Sequence, residues 1–220
     1  MRLSHPRHEA LLALVRPRMS GKTDLAHDLD HVFRVYRWAI RLSSEAGVDA
    51  DLAGAAALVH DLVNVPKESP DRPMGSALSA VAGAEILPQA RYTEPEVTQI
   101  VAAVATCSWS RGLPPTSPLG AVLQDADRLD AIGAIGIARN FACAQAMAGR
   151  GTSGRFYHPD DPLGQTDRPL DDRRNAADHY TLKLLRLAQT MHTPTATAEA
   201  ARRHAFLLSF LKQLGAEVSP

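Results

Sequence analysis

The chain has 220 residues, of which 45% are hydrophobic and 22% charged, and its 24 basic and 24 acidic residues give a formal net charge of zero. This length and composition suit one sizeable globular domain. A neutral chain has no overall basic field to attract nucleic acid or an anionic membrane, so we expect neither partner. Any positive charge that binds phosphate must therefore be local.

The two cysteines, Cys107 and Cys143, are far apart and form no CxxC pattern. This argues against both a disulfide framework and a thiolate metal site. The apolar run at residues 10–15 is too short to span a membrane, and the segment lacks the small-residue cleavage pattern of a secretory signal. We therefore expect a cytoplasmic protein.

Apolar residues recur at intervals of three and four along the chain, which indicates amphipathic helices. The clearest stripes are Val32, Val35, Ala39 and Leu42; Ala177, Tyr180, Leu184, Leu187, Ala188 and Met191; and Phe206, Leu207, Phe210, Leu211 and Leu214. No segment shows a convincing alternation of apolar and polar residues, so we predict no sheet. The expected fold class is all-α.

Glycine, proline and aspartate mark the breaks between the predicted helices. Gly47 is placed to end one helix and Asp49 to cap the next. Prolines at positions 66, 70 and 73 prevent a helix directly after Asp61. Residues 149–174 form the longest irregular stretch, which we interpret as a flap over a site or a mobile connector.

Four side chains of metal-binding type lie near predicted helix ends. His31 is near the start of one helix, His60 and Asp61 end the alanine-rich helix, and Asp127 is placed at the start of the next long helix. Imidazole and carboxylate donors together suit Mn, Fe, Co, Ni or Zn better than a pure Mg²⁺ or Ca²⁺ site. Taken singly, a helical histidine is usually structural, and the aspartates around Asp127 could be helix caps.

The order of these residues resembles the HD-domain superfamily of metal-dependent phosphohydrolases, whose fold is a bundle of helices. The more specific resemblance is to a bacterial HD hydrolase subgroup that includes a nucleoside triphosphate pyrophosphohydrolase. It is carried by residues 27–32, 58–61, 67–72, 125–139 and 178–183. The resemblance spans about residues 24–214, which we expect to form one compact domain with C-terminal helices. Residues 1–23 would be an N-terminal helical extension.

The resemblance implies that His31, His60, Asp61 and Asp127 hold one divalent metal ion, with Mg²⁺ as an alternative to the transition metals. HD proteins with two metal ions resemble one another in placing further histidine ligands between the last two of these positions. None of the nine histidines of this chain lies between Asp61 and Asp127. We therefore expect a single ion, and neither a two-metal mechanism nor oxygen chemistry.

The implied reaction is hydrolysis of a phosphate ester or anhydride by a metal-activated water, with a nucleotide as the substrate. Asp61 or Asp130 would steer or deprotonate that water. The predicted substrate-binding residues are Lys67, Arg72, Arg34, His179 and Lys183. The sequence leaves the oligomeric state open.

One position departs from the family pattern. The subgroup often carries a histidine-serine motif in the helix before the last metal aspartate, and this chain has Cys107 where that histidine would be. An alternative function is therefore a metal-containing nucleotide sensor or interaction module without turnover. A third interpretation is a purely structural helical protein in which the His-Asp arrangement is incidental.

Overall fold

The computed structural model describes residues 3–20, 25–151 and 154–218. Within these ranges the α-helices are α1 (Pro6–Met19), α2 (Leu29–Ser43), α3 (Ala50–Val59), α4 (Gly75–Ile86), α5 (Glu94–Ala105), α6 (Pro118–Asp130), α7 (Gly133–Gly149), α8 (Leu185–Leu187) and α9 (Pro194–Val218). The same ranges contain no strand, only two isolated β-bridges, which confirms the predicted all-α fold. None of the helices in them is long and apolar enough to cross a membrane.

The described residues form two compact units. The first unit comprises residues 3–20 and 27–128, and the second comprises residues 25–26 and 129–218. In the first unit α1 packs against α3. The division into an extension over residues 1–23 and a domain over residues 24–214 stays a prediction.

The core of the first unit is the contact between α2 and α3. The predicted stripe on α2, from Val32 to Leu42, is completely buried. Helix α3 is buried along most of its length and consists largely of alanine, so its neighbours can approach its backbone closely. As predicted, Asp49 caps α3 by accepting a hydrogen bond from the amide of Asp51, and Gly47 ends the preceding turn with a φ of +64°.

A buried polar network attaches α1 to α3. His8 is fully buried, and its Nε2–H donates to the carbonyl oxygen of Asp51 at 2.9 Å. Its Nδ1 accepts from the hydroxyl of Tyr36, also at 2.9 Å. Arg7 and Tyr92 donate to the Asp51 carboxylate at 2.7 and 2.8 Å. Burial lowers the pKa of His8, so the neutral imidazole is the form that this network holds.

In the second unit α7 packs against α9, and an irregular segment follows α7, as the sequence predicts. Arg168 holds this segment together, since it donates to Asp161 at 2.9 Å and to the fully buried Asp178 at 2.5 and 2.8 Å. Asp178 also accepts from the amide of Asp171 at 2.8 Å. Ion pairs therefore fix the path of the described part of this segment.

The prediction that Asp127 begins a long helix is wrong. Asp127 lies near the end of α6, and α7 starts only at Gly133. Ile132 has an extended backbone, and Gly133 has a φ of +77°, a conformation that favours glycine. A Cβ at position 136 would collide with the Ala131 carbonyl group, so the glycines permit the break that the helical periodicity conceals.

Two predicted stripes also differ from the structure. The segment from residue 177 to 191 is not one regular helix, because a π-helical turn (Tyr180–Leu184) precedes the short α8. In α9 the predicted stripe is largely outside the core: Leu207 is buried, but Phe206 is 50% exposed. Periodicity located both helical segments but not their exact geometry or burial.

The α1–α3 contact predicts a specific requirement for glycine at position 54. A Cβ there would lie 2.8 Å from Nε2 of His8 and 2.8 Å from Cε2 of Tyr36. We expect Gly54→Ala to lower the free energy of unfolding by about 1–3 kcal/mol, measured by urea denaturation. Gly75→Ala is the matched control, because its nearest neighbour would be at 3.8 Å. Equal stability of the two variants would contradict the close approach.

Candidate metal centre

Three side chains of the first unit converge on one point. His31, His60 and Asp127 each offer a ligand atom, and these atoms all lie within 4.8 Å of one another. The Nε2 atoms of the two histidines are 3.2 Å apart, and Oδ1 of Asp127 is 3.6 Å from His31 and 3.9 Å from His60. Both imidazoles are buried, whereas the Asp127 side chain is 28% exposed. Asp127 therefore gives the cluster its access to solvent.

The first turn of α2 positions His31. The Asp28 side chain caps this helix by accepting from the amide of His31 at 2.9 Å. His31 is thus the third residue of the helix, on the face that packs inward with Val32 and Val35. A cap and an apolar stripe together fix the direction of this imidazole.

The end of α3 positions His60. Its Nδ1 lies 2.7 Å from the carbonyl oxygen of Ala57, which can only accept, so the ring proton is on Nδ1. This bond directs the Nε2 lone pair toward His31. A backbone carbonyl that orients a histidine in this way is typical of metal-binding imidazoles.

The geometry of the cluster fits a divalent metal ion. With metal–nitrogen distances of about 2.0–2.1 Å, two imidazole ligands on one ion lie roughly 3.0–3.4 Å apart. The observed separation of 3.2 Å falls within that interval. Two imidazoles with a carboxylate form a donor set for a transition metal.

Asp61 follows His60 directly but is not among the three residues whose ligand atoms converge. Its carboxylate is nevertheless close enough to Cys107 to raise the pKa of that thiol. Its predicted role as fourth metal ligand or as base stays a prediction.

Cys107 and Arg128 are buried beside the cluster. The sequence placed Cys107 where the subgroup often carries a histidine, but it did not predict the burial of Arg128. Burial raises the pKa of the Cys107 thiol, and the carboxylates of Asp127 and Asp61 raise it further. Burial lowers the pKa of the Arg128 guanidinium, while Asp125 and Asp127 oppose that effect. Arg128 bonds to Gln124 at 2.5 Å and lies over the Trp109 ring. The cluster thus adjoins a neutral thiol and a buried cation.

His27 is a further residue near the cluster that we did not predict as part of the site. Its ring is perpendicular to that of His31, with 6.2 Å between the centroids. Arg72, a predicted phosphate ligand, approaches Nε2 of His27 to 3.4 Å. The spacing of four residues between the two histidines was the only sequence signal for this proximity.

The other predicted residues lie in both units. Lys67 and Arg34 are half-buried in the first unit. In the second unit His179 donates from Nδ1 to Asp172 at 2.6 Å, and Lys183 belongs to the π-helical turn. Asp130 is buried there and pairs with Arg139 at 3.0 Å. The substrate and catalytic roles of these residues stay predictions.

The chain is similar to known proteins along most of its length. The HD domain family matches residues 28–132. YpgQ of Bacillus subtilis (strain 168) is 34% identical over 195 residues, which cover 87% of this chain and 84% of YpgQ.

Solved structures agree with this similarity. The crystal structure of YpgQ in complex with ADP aligns with a TM-score of 0.73 and 29% identity, over 96% of this chain and 98% of that one. A Lactobacillus plantarum protein aligns with a TM-score of 0.76 and 30% identity, over 98% of both chains. An HD-superfamily hydrolase from Bacillus thuringiensis aligns with a TM-score of 0.69 and 29% identity, over 96% of both chains. The chain therefore belongs to the HD-domain superfamily, in the hydrolase subgroup that YpgQ represents.

Proposed function

We propose that this protein is a metal-dependent phosphohydrolase that cleaves a phosphate ester or anhydride of a nucleotide. The observation that carries the proposal is the convergence of two buried imidazoles and one carboxylate, with the imidazole Nε2 atoms 3.2 Å apart. Membership of the HD hydrolases supports the reaction type. The presence of ADP in a YpgQ crystal structure supports a nucleotide as substrate.

In this proposal His31, His60 and Asp127 hold one divalent ion, and Asp61 is the fourth ligand. The imidazole donors favour Mn, Co, Ni, Fe or Zn, with Mg²⁺ as the alternative. When bound, such an ion lowers the pKa of a coordinated water and polarises a phosphoryl oxygen. Because Asp127 is the most exposed member of the cluster, substrate would enter on its side.

The remaining predicted residues handle the proton and the phosphate charge. We place the proton of the attacking water on Asp61. Asp130, the other predicted base, lies in the second unit and already pairs with Arg139, so its role stays a prediction. Within the first unit, Lys67, Arg72 and Arg34 would hold the phosphate groups. The substrate-binding roles of His179 and Lys183, which belong to the second unit, stay predictions. Since the chain is neutral overall, these local charges would have to supply the attraction for a nucleotide. The cytoplasmic location, and the absence of nucleic-acid and membrane partners, stay predictions.

Metal analysis tests the centre directly. We expect about one transition-metal ion per purified wild-type chain, and phosphate or pyrophosphate release from a nucleotide panel in Mn²⁺, Co²⁺, Ni²⁺ or Mg²⁺. His60→Gln should weaken metal binding by more than the roughly 10- to 100-fold that is typical of changes behind the ligands, because it removes a direct ligand. Turnover should fall together with metal binding.

Asp61→Asn separates the two roles predicted for Asp61. Loss of metal indicates that Asp61 is a ligand, whereas metal retention with turnover reduced by at least about 10²-fold indicates that it is a base.

His192→Gln is the control for the metal measurement, because His192 is an exposed histidine of the second unit. It should keep both metal and activity. A wild-type chain that takes up no metal even after reconstitution would contradict the proposed centre.

The second candidate function is a nucleotide sensor that binds metal and ligand without turnover. It is favoured by the buried thiol of Cys107, which lies where the subgroup often carries a histidine. Because burial and the neighbouring carboxylates raise its pKa, this thiol is a poor proton donor or acceptor at neutral pH. The position is therefore chemically weaker than an imidazole would be.

Restoring the imidazole separates the two functions. We expect Cys107→His to increase phosphate or pyrophosphate release by roughly 10²-fold, which is the lower end of what general acid–base assistance typically contributes. Rates and metal content would be compared with those of wild type and of Cys143→His, which changes the other cysteine. If the variant keeps metal and fold but gains no activity, Cys107 is not what limits turnover.

A further inference from the structure

A chain of contacts leads outward from the metal centre to a single arginine. His31 belongs to the cluster, and the ring of His27 lies 6.2 Å from it, centroid to centroid. Nη2 of Arg72 lies 3.4 Å from Nε2 of His27. The guanidinium is therefore in contact with the histidine that neighbours the cluster, but it is not one of the three residues whose ligand atoms converge. This place suits a phosphate of the nucleotide other than the one at the metal.

The loop between α3 and α4 fixes one edge of the Arg72 guanidinium. Nη1 donates to Oδ1 of Asn64 at 3.0 Å and to the carbonyl oxygen of Val65 at 2.5 Å. An arginine carries five N–H donors in a planar fork. The bonds to Asn64 and Val65 use the two N–H donors of Nη1. Among the described residues no acceptor bonds to Nε. The edge formed by Nε and Nη2 is the one that binds oxyanions in bidentate fashion.

His27 completes the orientation of this edge. A guanidinium does not give up its proton, so in the Arg72–His27 contact the imidazole Nε2 is the acceptor and its ring proton is on Nδ1. The contact is long for a hydrogen bond, so it aligns Arg72 without engaging it strongly. A phosphate oxygen can therefore compete for the same donors.

We propose that Arg72 receives the phosphate of the nucleotide that lies farther from the metal, and that His27 and Asn64 are the residues that position Arg72 for it. This inference rests on the proposed function, and it assigns roles to His27 and Asn64, which the proposed function does not include. Preorganisation is the physical reason: an arginine already held on one edge loses less conformational freedom when a phosphate binds. His27 acts through Arg72 and is a positioning residue.

The experiment measures ADP binding by calorimetry in the presence of Mn²⁺, together with metal content and, for a nucleotide that is turned over, KM and kcat. We expect Arg72→Ala to weaken ADP binding by about 10- to 100-fold, the range for a charge-assisted pair. His27→Ala should weaken it about 3- to 10-fold and raise KM with kcat little changed. His27→Gln should restore much of the affinity, since its amide oxygen can accept from Arg72. Metal content should equal that of wild type in all three variants.

Arg37→Ala is the matched control, because Arg37 is an exposed arginine on α2 in the same unit. It should bind ADP as wild type does. Asn64→Ala provides a second measurement that does not touch His27, and it should weaken ADP binding in the same direction.

Each alternative result has a distinct meaning. Unchanged ADP affinity in both His27→Ala and Asn64→Ala, with wild type binding metal and ADP, would overturn the positioning roles and leave the proposed function standing. Loss of metal in His27→Ala would make His27 a support of the metal centre and would also overturn the inference. A wild-type chain that binds neither metal nor ADP would overturn the proposed function itself.

Discussion

Two imidazole nitrogens held 3.2 Å apart inside the protein are the constraint on which the first unit depends. Both rings are buried, at 1% and 5% exposure, so water cannot screen one from the other. The bond from His60 to the Ala57 carbonyl commits its proton to Nδ1 and leaves a lone pair facing His31. Such a contact is stable only when a proton or a cation lies between the nitrogens. The fold therefore maintains an arrangement that a metal ion stabilises.

Packing on two sides of α3 keeps His60 in that position. On one side the completely buried stripe of α2 lies against a helix made largely of alanine, so small changes in side-chain volume would shift the imidazole. On the other side His8 and Arg7 attach α1 to Asp51 in the first turn of α3. Since every polar group of a buried network must be satisfied, this attachment is specific as well as stabilising. Gly54 lets the two helices approach closely enough for it to form.

The sequence predicted the elements that carry local signals. The α2 stripe, the Asp49 cap, the prolines after Asp61 and the placement of His31 and His60 at helix ends could all be read from spacing and residue type. The break before Gly133 could not be predicted, because the residues on both sides continue a helical pattern. A glycine within such a pattern does not by itself indicate a positive φ. The same holds for the π-helical turn at Tyr180–Leu184, whose apolar spacing also fits an α-helix.

The candidate site shows the same division. Ligand types in a family order identified His31, His60 and Asp127, because that order depends on the sequence alone. His27 lies four residues before His31, and Arg128 directly follows Asp127. Spacing alone does not show that their side chains reach the cluster, because that depends on how the loops and helices pack. Asp61 is an intermediate case. Its position after His60 predicts a metal ligand, but the ligand atoms that converge belong to His31, His60 and Asp127.

Charge balance connects the metal centre with the loop that follows α3. In the proposed site two carboxylates, Asp61 and Asp127, offset the charge of one divalent ion, and the imidazoles add none. Burial raises the pKa of the Cys107 thiol beside them. A nucleotide brings further negative charge, which a neutral chain can meet only with nearby cations. Arg128 is already engaged with Gln124 and Trp109, so Arg72, with one edge of its fork still available, is the group best placed to meet it.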